Sequence, residues 1–271
     1  GRFDIGSAIV LAAATVLFLL TVSQLEQFAA APVRTLLLVG LTFATTIGFI
    51  RMSRRAASPI LDLGAFGITS FAWINAANVV VNFTGFATML FVPYFLVRVS
   101  SLPLWQSGMV MAIGPLGMMI ASNLGGRMMH GVGAGRIALA GAACVAIGLG
   151  WMSFWQDVTG QIVLACGLLV HGTGLGLFQV ASLDHVARVL PKANRGVAGS
   201  LTMVMRTIGI VLAASILTSA FAHVEQIAGI GDPRQAFVFA FQNVFLGTAI
   251  GLAIFIALSC LSRRLWESPS P

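Results

Sequence analysis

Eight apolar stretches of about 20 residues each follow one another along most of this 271-residue chain. About 20 helical residues cross a hydrocarbon core of about 30 Å, so each stretch can span a membrane. Backbone polar groups in lipid must be hydrogen-bonded internally, and continuously apolar runs favour helices over the alternating strands of a barrel. We predict eight transmembrane helices, at about 5–24, 33–51, 68–97, 105–124, 136–155, 160–180, 196–221 and 236–261.

The composition predicts an all-α integral membrane protein. Hydrophobic residues make up 58% of the chain and charged residues 8%, whereas a soluble domain carries about 25% charge. The net charge of +7 could suggest a nucleic-acid partner, but the basic residues sit in short connections at helix ends. We therefore expect no nucleic acid and, instead, contact with anionic lipids of the inner leaflet of the cell membrane.

Connections rich in basic residues alternate along the chain with connections that are nearly neutral. The neutral connections hold only Arg34, Arg98 and Arg234, and Arg206 falls inside a stretch. Positively charged short loops stay in the cytoplasm, so we expect both termini there and an even number of spans. The eleven residues on the predicted cytoplasmic side are Arg2, Arg51, Arg54, Arg55, Arg127, Arg136, Arg188, Lys192, Arg195, Arg263 and Arg264.

The eight stretches divide into two plus six. Residues 1–58 are predicted to form a transmembrane hairpin and a basic connector, and residues 59–271 a six-helix unit. Small residues four apart, as in the pairs Gly172/Gly176 and Gly247/Gly251, allow helices to approach closely in lipid. We expect tight packing at both pairs, with a sliding surface for conformational change as the alternative.

The segment after the fourth stretch is rich in glycine and arginine. Gly126, Arg127, Gly133 and Arg136 resemble the cytoplasmic signature of the major facilitator superfamily, between the second and third helices of a six-helix half. His130 stands where that signature has an aspartate, and the next residue, usually arginine, is a glycine. The resemblance implies a cytoplasmic gate, weakened by the missing acid.

Further motifs resemble the fourteen-span drug:proton antiporters of the same superfamily. The resemblance implies that the chain is the C-terminal eight helices of an exporter, an inserted hairpin plus the second half. It also implies alternating access, no cofactor beyond the proton gradient, amphipathic or cationic small molecules as substrates, and a missing N-terminal six-helix half as partner. The motifs are 93–96, 102–108, 114–115, 195–200 and 206–209.

Three asparagines, Asn75, Asn78 and Asn82, share one face of the third stretch. In the resembled fold the first and fourth helices of each half line the substrate cavity, which are here the third and sixth stretches. We therefore expect the asparagines to line it, together with His171 and Gln179 of the sixth. Interhelical hydrogen bonding is the alternative for the asparagines, and a buried neutral histidine is the alternative to a proton relay at His171.

Arg206 lies about ten residues into the seventh stretch, roughly 15 Å deep, where an arginine costs about 2.5–3.5 kcal/mol on insertion scales. No acidic residue falls inside a predicted stretch. We expect Arg206 to bond backbone carbonyls, water or an acid from outside this chain. Its predicted role is proton coupling or contact between the halves, with a structural arginine as the alternative.

Nothing in the sequence predicts an enzyme or a metal site. The three cysteines lie in apolar stretches without metal-ligand spacing, and no nucleotide loop or nucleophile triad is present. Two functions remain: a proton-driven exporter whose essential acid lies outside this chain, or a non-transporting membrane scaffold or sensor built on a transporter fold.

Overall fold

The computed structural model describes residues 5–24, 32–55, 67–189, 195–229 and 231–261. Within these ranges the chain forms eight α-helices and no strand, which confirms the predicted all-α fold. A π-helical turn, Phe95–Val99, continues the third helix. The helices are α1 Ile5–Gln24, α2 Pro32–Arg55, α3 Thr69–Tyr94, α4 Leu104–Val132, α5 Ala134–Met152, α6 Gln161–Val189, α7 Arg195–Ile227 and α8 Pro233–Cys260.

Seven of these helices are long and apolar enough to cross a membrane. They are α2 to α8, and a span by α1 stays a prediction. Some other expectations fall outside the described residues: the boundary at 58/59, the side chain of Arg195, and Arg2, Lys192, Arg263 and Arg264. The division into a hairpin and a six-helix half therefore also stays a prediction.

Helices α4 and α6 are longer than predicted. Helix α4 runs to Val132 instead of about 124, so the glycine- and arginine-rich segment is helical and not a loop. It ends at Gly133, whose φ of +89° suits glycine and strains most other residues. Helix α6 runs to Val189, and its last turns hold an ion pair of 2.6 Å between Asp184 and Arg188.

Two acidic residues outside the predicted stretches lie within apolar helices of the structure. Asp184 lies inside the apolar helix α6, and Glu225 lies inside α7. Both sit within two turns of the end of their helix. The predicted stretches ended earlier because hydropathy falls before the backbone stops being helical.

The start of α8 follows from local sequence. Pro233 occupies the first helical position, where its missing N–H costs nothing. The Asp232 carboxylate accepts a 2.9 Å hydrogen bond from the Arg234 amide, which caps the helix. Arg234 also donates from its side chain to the carbonyl of Val99, so the end of α3 and the start of α8 are held together.

Helix α6 packs mainly against α4 and α5. The closest approaches occur at glycines. A Cβ on Gly172 would overlap the carbonyl of Gly114 in α4, and one on Gly174 would lie 2.5 Å from the Val145 nitrogen in α5. Backbones can approach this closely only where side chains are absent.

The two predicted glycine pairs differ in the structure. Gly172 and Gly176 both pack against the backbone of α4, as expected. A Cβ on Gly247 or Gly251 would meet nothing within 4 Å, so the expected tight packing at that pair is wrong. The spacing is the same, but the second pair lies on an exposed face of α8.

An aromatic cluster closes one end of the bundle, next to the α3–α4 and α5–α6 connections. Phe95 lies 4.7 Å from Phe241 and 5.5 Å from Trp155, measured between ring centroids. Phe241 stacks in turn on Phe245 at 4.1 Å. These contacts fix the π-helical turn after α3, the α5–α6 connection and α8 against one another at this end, which is the outer end in the predicted topology.

Candidate substrate cavity

A cavity of about 370 Å³ lies between α3, α4, α6 and α7. Most of its wall is apolar, and much of that wall is flexible methionine. The expectation that α3 and α6 line the cavity is thus incomplete, because α4 and α7 contribute as well. The principal apolar residues of the wall are Phe86, Met89, Met111, Met118, Leu168 and Leu175.

Glycines and a proline shape the wall of this cavity. Gly85 of α3, Gly114 of α4 and Gly172 of α6 all line it, and the missing side chain of Gly172 lets α6 approach the backbone of α4 there. Pro115 lies inside α4, where its ring removes a backbone hydrogen bond and allows a bend. Gly209 brings α7 close to α3, because a Cβ there would overlap the carbonyl of Val79.

Four of the predicted site residues meet at this cavity: Asn82, His171, Gln179 and Arg206. They come from three different helices, and only the packing of α3, α6 and α7 brings them together. The functional role of each stays a prediction.

Thr88 also lines the cavity and was missed by the sequence reasoning. Its hydroxyl lies 3.3 Å from Nε2 of His171, within hydrogen-bond distance. Both side chains are buried. The signal was present in the sequence, because residues 82, 85 and 88 continue the asparagine face of α3 in steps of three.

Arg206 has a partner within the chain. Its Nη1 donates a 3.2 Å hydrogen bond to Oε1 of Gln179 across the α6–α7 contact. The expected partners were backbone carbonyls, water or an acid from outside the chain. The observed partner is instead the neutral side-chain amide of Gln179, which was predicted only to line the cavity. No other described residue accepts a hydrogen bond from this guanidinium, which carries five N–H donors.

Asn75 and Asn78 do not reach the cavity. Asn78 donates to the hydroxyl of Ser182 in α6 at 2.5 Å, and also to the Ile74 carbonyl at 3.0 Å. Asn75 donates to the Phe71 carbonyl one turn back, at 2.9 Å. Both asparagines are buried between helices, so Asn78 makes the interhelical bond that was the alternative expectation.

The predicted gate residues lie around the junction of α4 and α5. Arg127 and Arg136 are exposed, and a Cβ on Gly126 would meet nothing within 4 Å. Gly133 forms the junction itself. The side chain of His130 lies outside the described residues, so the gate remains a prediction.

Comparison with known proteins agrees with this architecture. The family model described as Major Facilitator Superfamily matches residues 4–214. Multidrug resistance protein Stp of Mycobacterium tuberculosis is 25% identical over 248 residues, which cover 88% of this chain and 46% of Stp. Multidrug transporter protein MdtP of Bacillus subtilis is 24% identical over 172 residues, covering 64% of this chain and 32% of MdtP.

A further relative is similar along almost the whole chain. Quinolone resistance protein NorB of Staphylococcus aureus is 22% identical over 263 residues, covering 96% of this chain and 54% of NorB. The chain spans about half the length of Stp and NorB. The family match extends over more than half of the chain and covers five of the seven apolar helices, α2 to α6, together with part of α7. The chain therefore belongs to the major facilitator superfamily of membrane transporters.

Proposed function

We propose that this chain forms the C-terminal part of a proton-driven exporter of small molecules: the inserted hairpin and the last six helices of a fourteen-helix protein. The observation that carries the proposal is the cavity of about 370 Å³ with an apolar wall and a few convergent polar groups, an arrangement typical of small-molecule sites. The length of the relatives and the multidrug and quinolone resistance in their names support it.

The mechanism we propose is alternating access, in which the cavity opens to one side of the membrane at a time. The contacts of α6 with α4 and α5 run through Gly172 and Gly174, where backbone faces backbone. At these contacts no side chains interlock, so none has to repack when the helices shift. The cytoplasmic gate would be formed by Gly126, Arg127, His130, Gly133 and Arg136.

Proton coupling in this proposal requires an acid from outside the chain. No aspartate or glutamate lines the cavity within the described ranges. A missing N-terminal six-helix half would supply it, and Arg206 would couple to that half across the cavity. No cofactor is required, because the proton gradient is the energy source.

The proposed location is the cell membrane, with both termini in the cytoplasm. The exposed side chains of Arg127 and Arg136 would then face the anionic lipids of the inner leaflet. Amphipathic or cationic molecules entering from that leaflet would be the substrates, and the apolar wall suits their hydrocarbon part.

Flux measurements on the full-length protein in proteoliposomes test the proposal. We expect efflux of at least one of three amphipathic dyes (cationic, neutral and anionic) when a pH gradient is imposed, and none when the gradient is collapsed. Arg206→Ala and Asn82→Ala should reduce the flux at least tenfold, and Asn243→Ala, an exposed residue of α8, should not. A flux that is the same with and without the pH gradient would exclude proton coupling. Folded protein without flux of any dye would favour a scaffold or sensor.

A further inference from the structure

The charge of the cavity wall has one sign. Among the described residues that line it, Arg206 is the only one with a permanent charge. The remaining polar groups are the amides of Asn82 and Gln179, the hydroxyl of Thr88 and the imidazole of His171. The wall contributed by this chain is therefore cationic at one point and neutral elsewhere.

The charge of Arg206 is not neutralised by its partner. Its Nη1 bonds an amide oxygen of Gln179, which carries only a partial charge. The residue is partly buried within α7, several turns from either end of that helix. An arginine at such depth in a membrane protein is costly and is retained with a partner or for a function.

The guanidinium has donors left for an anion. One of its five N–H groups is used on Gln179, so the planar fork can still bind a carboxylate, sulfonate or phosphate through two parallel hydrogen bonds. Arginine is better suited than lysine to this geometry because its donors are fixed in one plane.

The rest of the cavity fits the apolar part of such a ligand. Phe86, Met89, Met111 and Met118 contribute to the wall. Unbranched methionines adapt to different shapes, so the wall can accept several hydrocarbon bodies. A cationic ligand would instead meet Arg206 as a like charge, and no carboxylate among the described lining residues offsets it.

We propose that the cavity of this chain is a binding site for amphipathic anions, with Arg206 holding the acidic group and the methionine-rich wall holding the apolar body. The inference rests on the proposed function. It narrows the expected substrates from amphipathic or cationic molecules to amphipathic acids. The carboxylate that binds Arg206 could belong to a ligand or to an aspartate or glutamate of helices outside this chain. The experiment separates these two sources.

Equilibrium binding to the purified full-length protein in detergent, without any gradient, is the test. The probes are 4-(pyren-1-yl)butanoate, its methyl ester and the corresponding pyrenyl trimethylammonium, which share one apolar body. We expect the carboxylate to bind at least about tenfold more tightly than the ester. Arg206→Gln should remove that preference and leave the affinity for the ester unchanged. Arg206→Lys should keep part of the preference for the carboxylate. This second variant keeps the test decisive if Arg206→Gln fails to fold.

The control is Arg98→Gln, since Arg98 lies over the ring of Tyr94 at 5.6 Å and does not line the cavity. It should leave all three affinities unchanged. If the cation binds at least as tightly as the carboxylate, and Arg206→Gln further strengthens cation binding, an acid of the protein itself holds Arg206 and the proposal is overturned. Equal affinity for all three probes would overturn it as well. Because binding is measured without a gradient, a failure of proton-driven transport would leave these results unaffected.

Discussion

The amide of Asn78 in α3 donates a 2.5 Å hydrogen bond to the hydroxyl of Ser182 in α6, and both side chains are buried. We expect a double-mutant cycle of Asn78→Leu and Ser182→Ala to give a coupling free energy of about 0.6 kcal/mol, the average for interhelical hydrogen bonds in membranes. Unfolding in mixed micelles with increasing SDS measures it.

The control for this cycle pairs Ser182→Ala with Asn243→Leu. Asn243 is exposed, and its amide bonds the Phe239 carbonyl of its own helix. The two changes share no partner, so their effects on the free energy of unfolding should add. A coupling free energy of zero for Asn78 and Ser182 would contradict the structure.

Gly172→Ala should destabilise the protein by about 1–3 kcal/mol, the usual cost of overpacking. The new methyl group would overlap the backbone carbonyl of Gly114, and a backbone cannot rotate away as a side chain can. Gly247→Ala is the matched change at an open position of α8 and should be neutral or stabilising. Thermal unfolding of both variants in detergent compares them, and equal melting temperatures would refute the close α4–α6 contact.

Two valines test the predicted orientation in the membrane. Val158 lies in the α5–α6 connection and Val132 at the end of α4, and both are exposed. In a full-length protein without its native cysteines, Val158→Cys should react with a membrane-impermeant maleimide on intact cells. Val132→Cys should react only after the membrane is opened, because the basic residues near it stay in the cytoplasm. The opposite labelling pattern would reverse the topology.

His185→Leu should leave stability unchanged or raise it. His185 is 0% exposed, and neither ring nitrogen has a hydrogen-bond partner in the described part of the chain. An unpaired buried polar group costs about 1–3 kcal/mol, so an apolar side chain of similar size removes a penalty. Melting temperatures in detergent provide the measurement.

The comparison for that change is His171→Leu, which removes the contact between His171 and Thr88. It should lower the melting temperature, because the threonine hydroxyl then keeps only the weak acceptor sulfur of Met152, at 4.0 Å. If His185→Leu were as destabilising as His171→Leu, His185 would have a bonding partner that the described residues do not include.

Much of the fold could be read from single stretches of sequence. Hydropathy and length are local properties, so the apolar runs predicted the helices, and Pro233 after Asp232 accounts for the start of α8. The helix ends were less predictable. Hydropathy falls near residue 124, but no residue there breaks the helix until Gly133 adopts a positive φ.

The site depended on contacts that no local pattern contains. Asn78 and Asn82 share a face of α3, yet only Asn82 reaches the cavity, because Asn78 packs against α6 and bonds Ser182. Periodicity tells which residues of a helix lie on one side and does not tell what that side meets. The same limit separates Gly172 from Gly247, which have equal spacing and unlike surroundings.

By itself the sequence determined an all-helical membrane protein of the major facilitator type and singled out Arg206 as a charge at unusual depth. Only the tertiary structure decided that Arg206 bonds Gln179 and that four helices enclose the cavity beside them. The physical reason is that burial in lipid acts on each helix separately, whereas a cavity exists only where several helices pack imperfectly against one another.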